Sequence, residues 1–317
     1  MSTSVRALRE RMGTIADLRS ASALLSWDQL TIMPIQGGAE RAHQIKTVEQ
    51  LAHQMLIDSE TGRLLEQAEK DIAAGGGTEI ETALVRVTRH DYDRASRVPG
   101  ELIGEIAKAA ADGYAVWTEA RSNADYSAFL PALERNIELR MRYIDCFEPA
   151  DSPYDVLVED YEQGLTSAEI TRIFESLKPR LHSLVERVVE RQDVVSADML
   201  HQPFPVEGQE ALGRWTLDRL GFDAGSWRLD PTVHPFQQTI GVHDIRLTTR
   251  YNGQDFSDSL LSTIHEFGHG IYERQIDPQL SRSPLASGCS MTLHESQSRF
   301  WENLFGRSVE YASLLHP

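Results

Sequence analysis

The chain reads as mostly α-helical with one small β-sheet, and three observations carry that reading. Apolar residues recur at steps of three and four through most of the 317 residues, as one buried face of a helix requires. A single segment alternates apolar with polar residues and is rich in β-branched side chains. Directly after it comes a His-Glu-x-x-His pattern, which places two imidazoles on one face only if the backbone is helical.

Taken in order, Val5, Leu8, Met12, Ile15, Leu18, Ala21 and Leu25 mark one long amphipathic helix. Gly75-Gly76-Gly77 is a loop between helices, and it lacks the Lys-Ser/Thr ending of a phosphate loop. Thr166-Ser167-Ala168-Glu169 is a capping box. The helix it opens carries Ile170, Ile173, Phe174, Leu177, Leu181, Leu184 and Val188, and Pro179 is expected to kink or split it. Pro203, Pro205 and Gly208 mark a break near residue 201, which divides the chain into a helical region, 1–200, covering a groove, and a catalytic region, 201–317. Ile245–Tyr251 is the alternating strand, whose free edge could pair with an extended peptide. A hairpin that merely packs the helices suits the same pattern. Ser257 is the candidate cap of the next helix, and Leu293–Phe305, free of Pro and Gly, is the last one.

The chemistry concentrates in those last two helices. His265 and His269 lie one turn apart on the same face, and Glu266 beside them can reach a water held on a shared metal. A hydrolytic zinc site needs a third protein ligand, and Glu295, 26 residues after His269, supplies it. His294 competes, but adjacent helical residues point about 100° apart, so only one can face the metal. Glu266 is then the general base and later the general acid. Asp244, Glu302 and Asp258 are candidate acceptors for the imidazole nitrogens turned away from the metal. Arg299, one turn after Glu295, is placed to support it electrostatically.

Composition narrows the class. A formal net charge of −17 argues against nucleic-acid or anionic-membrane partners, which want basic patches. No apolar run is long enough for a membrane span, and the charged start has no signal-peptide core. Cys146 and Cys289 are far apart, which suits a reducing cytoplasm. Cys289 is expected to be a small buried residue rather than a fourth ligand, because a closed site could not hydrolyse anything.

With those residues in view, the chain resembles the carboxypeptidase Taq family of zinc metallocarboxypeptidases. Leu25-Ser26-Trp27-Asp28-Gln29, with Met33-Pro34 and Gly37-Gly38-Ala39-Glu40-Arg41-Ala42, is similar to the family's N-terminal signature. Tyr154–Leu157 through Tyr161–Thr166 is similar to its middle segment. His234-Pro235-Phe236, the Asp-x-Arg-x-Thr run Asp244–Thr248, the zinc motif and His294–Arg299 complete the set. The resemblance implies a saddle-like or groove-bearing helical fold with a small sheet beside the active site, often dimeric. It implies zinc, replaceable by cobalt, and peptides losing single C-terminal residues with broad specificity. Arg246, oriented by Asp244, is the candidate receptor for the substrate's α-carboxylate, although a surface pair would read the same way. His234 would contact substrate or cap the turn before Pro235, and Trp27, Asp28 and Gln29 would organise the N-terminal helices. Two family motifs, Ile-Arg-x-x-Ala-Asp and Gly-x-x-Gln-Asp-x-His-Trp, do not occur, so the chain is expected to be a C-terminally truncated member. The alternatives are an inactive helical metal-binding protein or half of a split enzyme, associating with the missing segment, and a zinc oligopeptidase or dipeptidase.

Overall fold

In the computed structural model, residues 2–75, 77–194, 196, 200 and 202–315 are described. Helix α1 (Thr3–Thr31) has 29 residues and is about 43 Å long at the usual rise. Its apolar stripe, Val5, Leu8, Met12 and Ile15, is buried against Ala52 and Leu56 of α2 (Gly38–Ile57), Leu64 and Leu65 of α3 (Ser59–Ala73), and Leu84 and Val85 of α4 (Glu79–Ala95). Helix α5 (Gly100–Ser122) packs on α2, and α6 (Tyr126–Ile144) on α5. Short α7 (Pro153–Glu159) leads to α8 (Ser167–Val189), which opens on the Thr166/Glu169 capping box. Helix α8 does not break at Pro179: it runs through the proline as one helix. Every residue from 171 to 190 is exposed, so water can satisfy the carbonyl that the proline leaves without a donor.

After α9 (Val206–Arg219) come β1 (Trp227–Pro231), β2 (Gln237–Gly241) and β3 (Asp244–Thr249). The strand expected from the sequence is β3, but it is interior: the order is β1-β3-β2, with β1 parallel and β2 antiparallel to it. The sheet edges therefore belong to β1 and β2, not to Ile245–Tyr251. Helix α10 (Phe256–Arg274) lies across one face of the sheet, where Phe267 joins Leu217, Trp227, Leu229, Ile245 and Leu247 in a second core. Its cap is Asp255 rather than Ser257; Ser257 donates its backbone N–H and its hydroxyl to that carboxylate. Helix α11 (Met291–Arg299) continues into one π-helical turn, Phe300–Phe305, and α12 (Val309–Leu315) follows.

The two cores are tied through the end of α1. Trp27 is buried, with the Arg246 guanidinium 4.3 Å and that of Arg228 5.2 Å from its ring centroid. Thr232 donates to the carbonyl of Leu30 at 2.9 Å, and Arg121 of α5 donates to that of Val233 at 3.0 Å. Asp28 pairs with Arg41 at 2.6 Å and Gln29 donates to the Ala111 carbonyl, so Trp27, Asp28 and Gln29 each fasten α1 to a different neighbour. Among the described residues, no helix is long and apolar enough to cross a membrane.

Helix α10 reaches the sheet closely because residue 270 has no side chain. A Cβ there would stand 2.6 Å from Trp227, 2.9 Å from Ile245 and 3.0 Å from Leu247. Replacing Gly270 with Ala should destabilise the chain by about 1–3 kcal/mol despite the better helix propensity of alanine. Denaturant unfolding measures this, and an unchanged midpoint would mean that the sheet can retreat freely.

Candidate metal centre

The sequence-predicted ligands come together. His265, His269 and Glu295 each offer a ligand atom, all within 4.8 Å of one another. The Nε2 atoms of His265 and His269 lie 3.7 and 3.4 Å from the same oxygen, Oε2 of Glu295. Both histidines are on α10 and Glu295 is on α11, so the site depends on how closely those helices approach. Gly268 sets that approach. A Cβ on it would lie 2.7 Å from the Cα of Ser298 and 2.9 Å from the carbonyl oxygen of Gln297, both backbone atoms of α11.

The far nitrogens of the imidazoles are spoken for. Nδ1 of His265 lies 2.9 Å from Oε2 of Glu302, one of the three acceptors expected from the sequence. Asp244 and Asp258 are instead paired with Arg246 and Arg250. Glu302 also accepts from Arg299 at 3.0 Å and Arg307 at 2.9 Å. Nδ1 of His269 lies 2.6 Å from Nδ1 of His294, whose Nε2 is 2.8 Å from Oε1 of Glu273. A carboxylate can only accept, so the His294 proton sits on Nε2 and its Nδ1 accepts from His269. That leaves a lone pair on each ligand Nε2, pointing at the shared Glu295 oxygen. Both supports fix the tautomer that metal binding needs.

His294 thus stands behind His269 and outside the cluster of His265, His269 and Glu295. Sequence reading missed this role, and missed Glu273 altogether. Glu273 sits four residues after His269 and Glu302 seven after Glu295, so helical spacing from the ligands was the available signal. Arg299 does support Glu295, donating Nε to Oε1 at 2.7 Å. Cys289 is not buried: it is exposed, with its sulfur 3.7 Å from the hydroxyl of Tyr272. It lies on the connection between α10 and α11, which leaves small residues little to pack against.

Glu266 is only 5 % exposed, and it lines the same cavity as His265 and His269, an open space of about 1070 Å³. Burial, then the charges of Glu295 and Glu302, push its carboxyl up to about 8. Burial, then His294 and His265, push His269 down to about 4. Burial also works against the charges of Glu295 and Glu302, but their cationic neighbours outweigh it and hold both below the usual carboxylate value. The site is poised for a cation: imidazole nitrogens and ionised carboxylates face one another, with a further buried carboxyl protonated until positive charge arrives. The donor set and its tautomers fit a divalent ion.

His234 lines this cavity, with Phe236, Gln237, Gln238 and Thr239 leading into β2. Asp244 and Arg246 do not line it. Arg246 donates Nε and Nη2 to Asp244 at 2.8 and 2.9 Å, on the sheet side that meets Trp27. All residues lining the metal cavity come from 234–307. The helical region 1–200 contributes instead to an adjoining cavity of about 510 Å³, where Met12, Ile15 and Arg19 of α1 face Thr239, Glu273 and Ser287, which border both spaces.

Comparison with known proteins agrees with this geometry. The family described as Carboxypeptidase Taq (M32) metallopeptidase matches residues 7–317, and the chain belongs to it. Thermostable carboxypeptidase 1 of Pyrococcus furiosus is 36% identical over 94% of this chain and 59% of its own length. Its namesake from Thermus thermophilus is 35% identical over 95% and 61%. The solved structure of BsuCP superposes with a TM-score of 0.93 at 32% identity, over 97% of this chain and 61% of that one. The chain spans about six tenths of the length of these relatives.

Two outcomes are expected. Gly268→Ala should push α11 outward and weaken metal affinity about 10- to 100-fold, the range for disturbed ligand supports, in a competition titration against a chromogenic chelator. Unchanged affinity would show that α11 does not set the ligand spacing. The second concerns the metal-free chain. A carboxyl raised in the folded state adds stability below its unfolded pKa and loses it as pH rises through about 8. With chelator present, stability should fall between about pH 4.5 and 8, and Glu266→Gln should flatten that fall, a difference on the order of a few kcal/mol. Parallel curves for the two proteins would remove Glu266 as the cause.

Proposed function

We propose that this member of the carboxypeptidase Taq family is a zinc-dependent metallocarboxypeptidase that releases single amino acids from peptide C-termini. The observation that carries the reading is the convergence of two imidazole nitrogens and one carboxylate oxygen, with both imidazoles lining a large open cavity. Two nitrogens and one oxygen suit zinc, and cobalt after it, whereas magnesium and calcium favour all-oxygen sets. When bound, the ion would supply Lewis acidity toward water and toward the scissile carbonyl.

The remaining steps belong to the chain's own residues. Glu266 takes a proton from the attacking water and returns it to the departing amine. A cation beside it draws its pKa down from the metal-free value, so the carboxylate form needed for the first step becomes available near neutral pH. Glu302 and the His294–Glu273 pair hold the two imidazoles in register. The edge of β2 away from β3 has no strand partner among the described residues, and Gln237–Thr239 line the cavity, so a peptide can add along that edge as a further strand. His234, on the same lining, contacts the substrate. Arg246 reaches a substrate carboxylate only by releasing Asp244; in the described state the pair fastens β3 to Trp27. Two separated cysteines, one of them exposed, suit a reducing cytoplasm.

The test separates binding from chemistry. His269→Ala should lose zinc, whereas Glu266→Gln should keep it and lose peptide turnover by about 10²-fold or more. Product analysis of a short peptide, with this chain completed by the part of its relatives that it does not span, should show free C-terminal amino acids. Release of dipeptides, or full turnover by Glu266→Gln, would overturn the assignment.

A further inference from the structure

The metal ligands sit on two helices that are anchored very differently. Helix α10 buries Leu260, Ile264 and Phe267 in two cores, whereas the only buried residue of α11 is Ser298. Met291 and Leu293, in the first turn of α11, are about half exposed. The far end of α11 is stopped against Gly268 of α10 by backbone atoms of Gln297 and Ser298. A short helix stopped at one end can still pivot, and Glu295 lies between that stop and the first turn.

What holds the first turn comes from the far side of the chain. The N–H of Met291 donates to the Tyr161 carbonyl at 2.9 Å, and that of Thr292 to Oε2 of Glu162 at 3.2 Å. The third N–H, of Leu293, finds the Ser290 hydroxyl at 3.3 Å. Two of the donors that the start of a helix leaves without intrahelical partners are thus met by residues 161 and 162. Glu162 also accepts from the hydroxyls of Thr292 and Ser290. These bonds, the Thr292 hydroxyl most of all, hold its carboxyl below the usual carboxylate value although burial works against them. An ionised carboxylate is the acceptor that the start of a helix favours.

Residues 161 and 162 are themselves fixed. Oε1 of Glu159 lies 3.1 Å from Nε2 of His90 on α4, and its Oε2 accepts from the Gly164 N–H at 2.8 Å, which closes the turn. Asp160 accepts from Arg94 of α4 at 2.5 Å and from the Tyr143 hydroxyl of α6 at 2.9 Å. The connection between α7 and α8 is therefore clamped to two helices of the N-terminal region, and it presents one carbonyl and one carboxylate to α11.

We propose that Glu162 is a positioning residue for the metal centre: with the Tyr161 carbonyl it fixes the first turn of α11, and so sets where Glu295 and His294 stand relative to the histidines of α10. The proposal rests on the metal-centre reading. Without that carboxylate α11 keeps its stop at Gly268 and loses its hold at the other end, so Glu295 swings while His265 and His269 stay. Metal affinity then falls although no ligand has been replaced.

The test is made on the full chain. Glu162→Ala should raise the zinc dissociation constant about 10- to 100-fold in competition with a chromogenic chelator, the range for disturbed ligand supports. Glu162→Gln, which keeps an accepting oxygen and loses the charge, should raise it about 3- to 10-fold, and it serves alone if Glu162→Ala does not fold. In the metal-free proteins, hydrogen exchange at residues 291–295 should lose protection at least about tenfold in Glu162→Ala, with residues 263–269 unchanged. Leu139→Ala, in the core between α5 and α6, is the control for general destabilisation. It should lower the denaturation midpoint and leave zinc affinity within about twofold, because it lies in a separate core. Zinc affinity unchanged in both Glu162 variants, affinity lost equally in Leu139→Ala, or unaltered exchange at residues 291–295 would each overturn the proposal. A wild-type chain without zinc affinity would overturn the metal-centre reading together with it, which tells the two failures apart.

Discussion

Backbone contact between two helices underlies everything at this site. Helix α10 is pressed against α11 at Gly268 and against the sheet at Gly270, and neither approach leaves room for a methyl group. The first sets the distance between the histidine pair and Glu295; the second sets the height of that pair above β1 and β3. Glycine in the middle of a helix ordinarily costs about 1 kcal/mol relative to alanine. Here two of them, at positions 268 and 270, are kept because the ligand geometry is made by proximity of backbones rather than by long side chains reaching out.

Charge is arranged on the same frame. Glu266, Glu273 and Glu302 are nearly buried within a few residues of two imidazoles. Without an ion, burial and the neighbouring carboxylates raise the carboxyl of Glu266, whereas burial and the neighbouring imidazoles depress His269. Glu302 escapes because Arg299 and Arg307 from its own stretch of chain, and His265 from α10, converge on it. A metal ion would be the missing member of a set whose other members are already positioned.

Much of this was legible in the residue order, and what was not follows a physical rule. Periodicity exposed α1, α8 and α10, and the four-residue step of His265 and His269 placed both imidazoles on one face. The placement of Glu295 beside them followed from needing a carboxylate on a later helix. The argument that His294 and Glu295 must face apart was sound, yet it could not say that the turned-away His294 would lie behind His269. Sheet order was equally hidden. The strand β1, Trp-Arg-Leu-Asp-Pro, does alternate, but it is only five residues long, and its parallel pairing with β3 skips over β2, which no local pattern records. The fate of Arg246 depended on Trp27, more than two hundred residues away. Local patterns record what a residue's own helix or strand needs, whereas supports and partners are chosen by tertiary contact.

The length of α1 has a mechanical consequence. One end of this rod is embedded among α2, α3 and α4, and the other is clasped by Thr232 and by the Arg246–Trp27 stack. The exposed stretch around residue 190 is the obvious place for a protease to cut, since it follows a helix with no buried residues. A cut there would sever the backbone but not the assembly, because the rod belongs to both cores. The two fragments would stay together and melt as one, so the chain would look like two pieces on a denaturing gel and behave as a single cooperative body in solution.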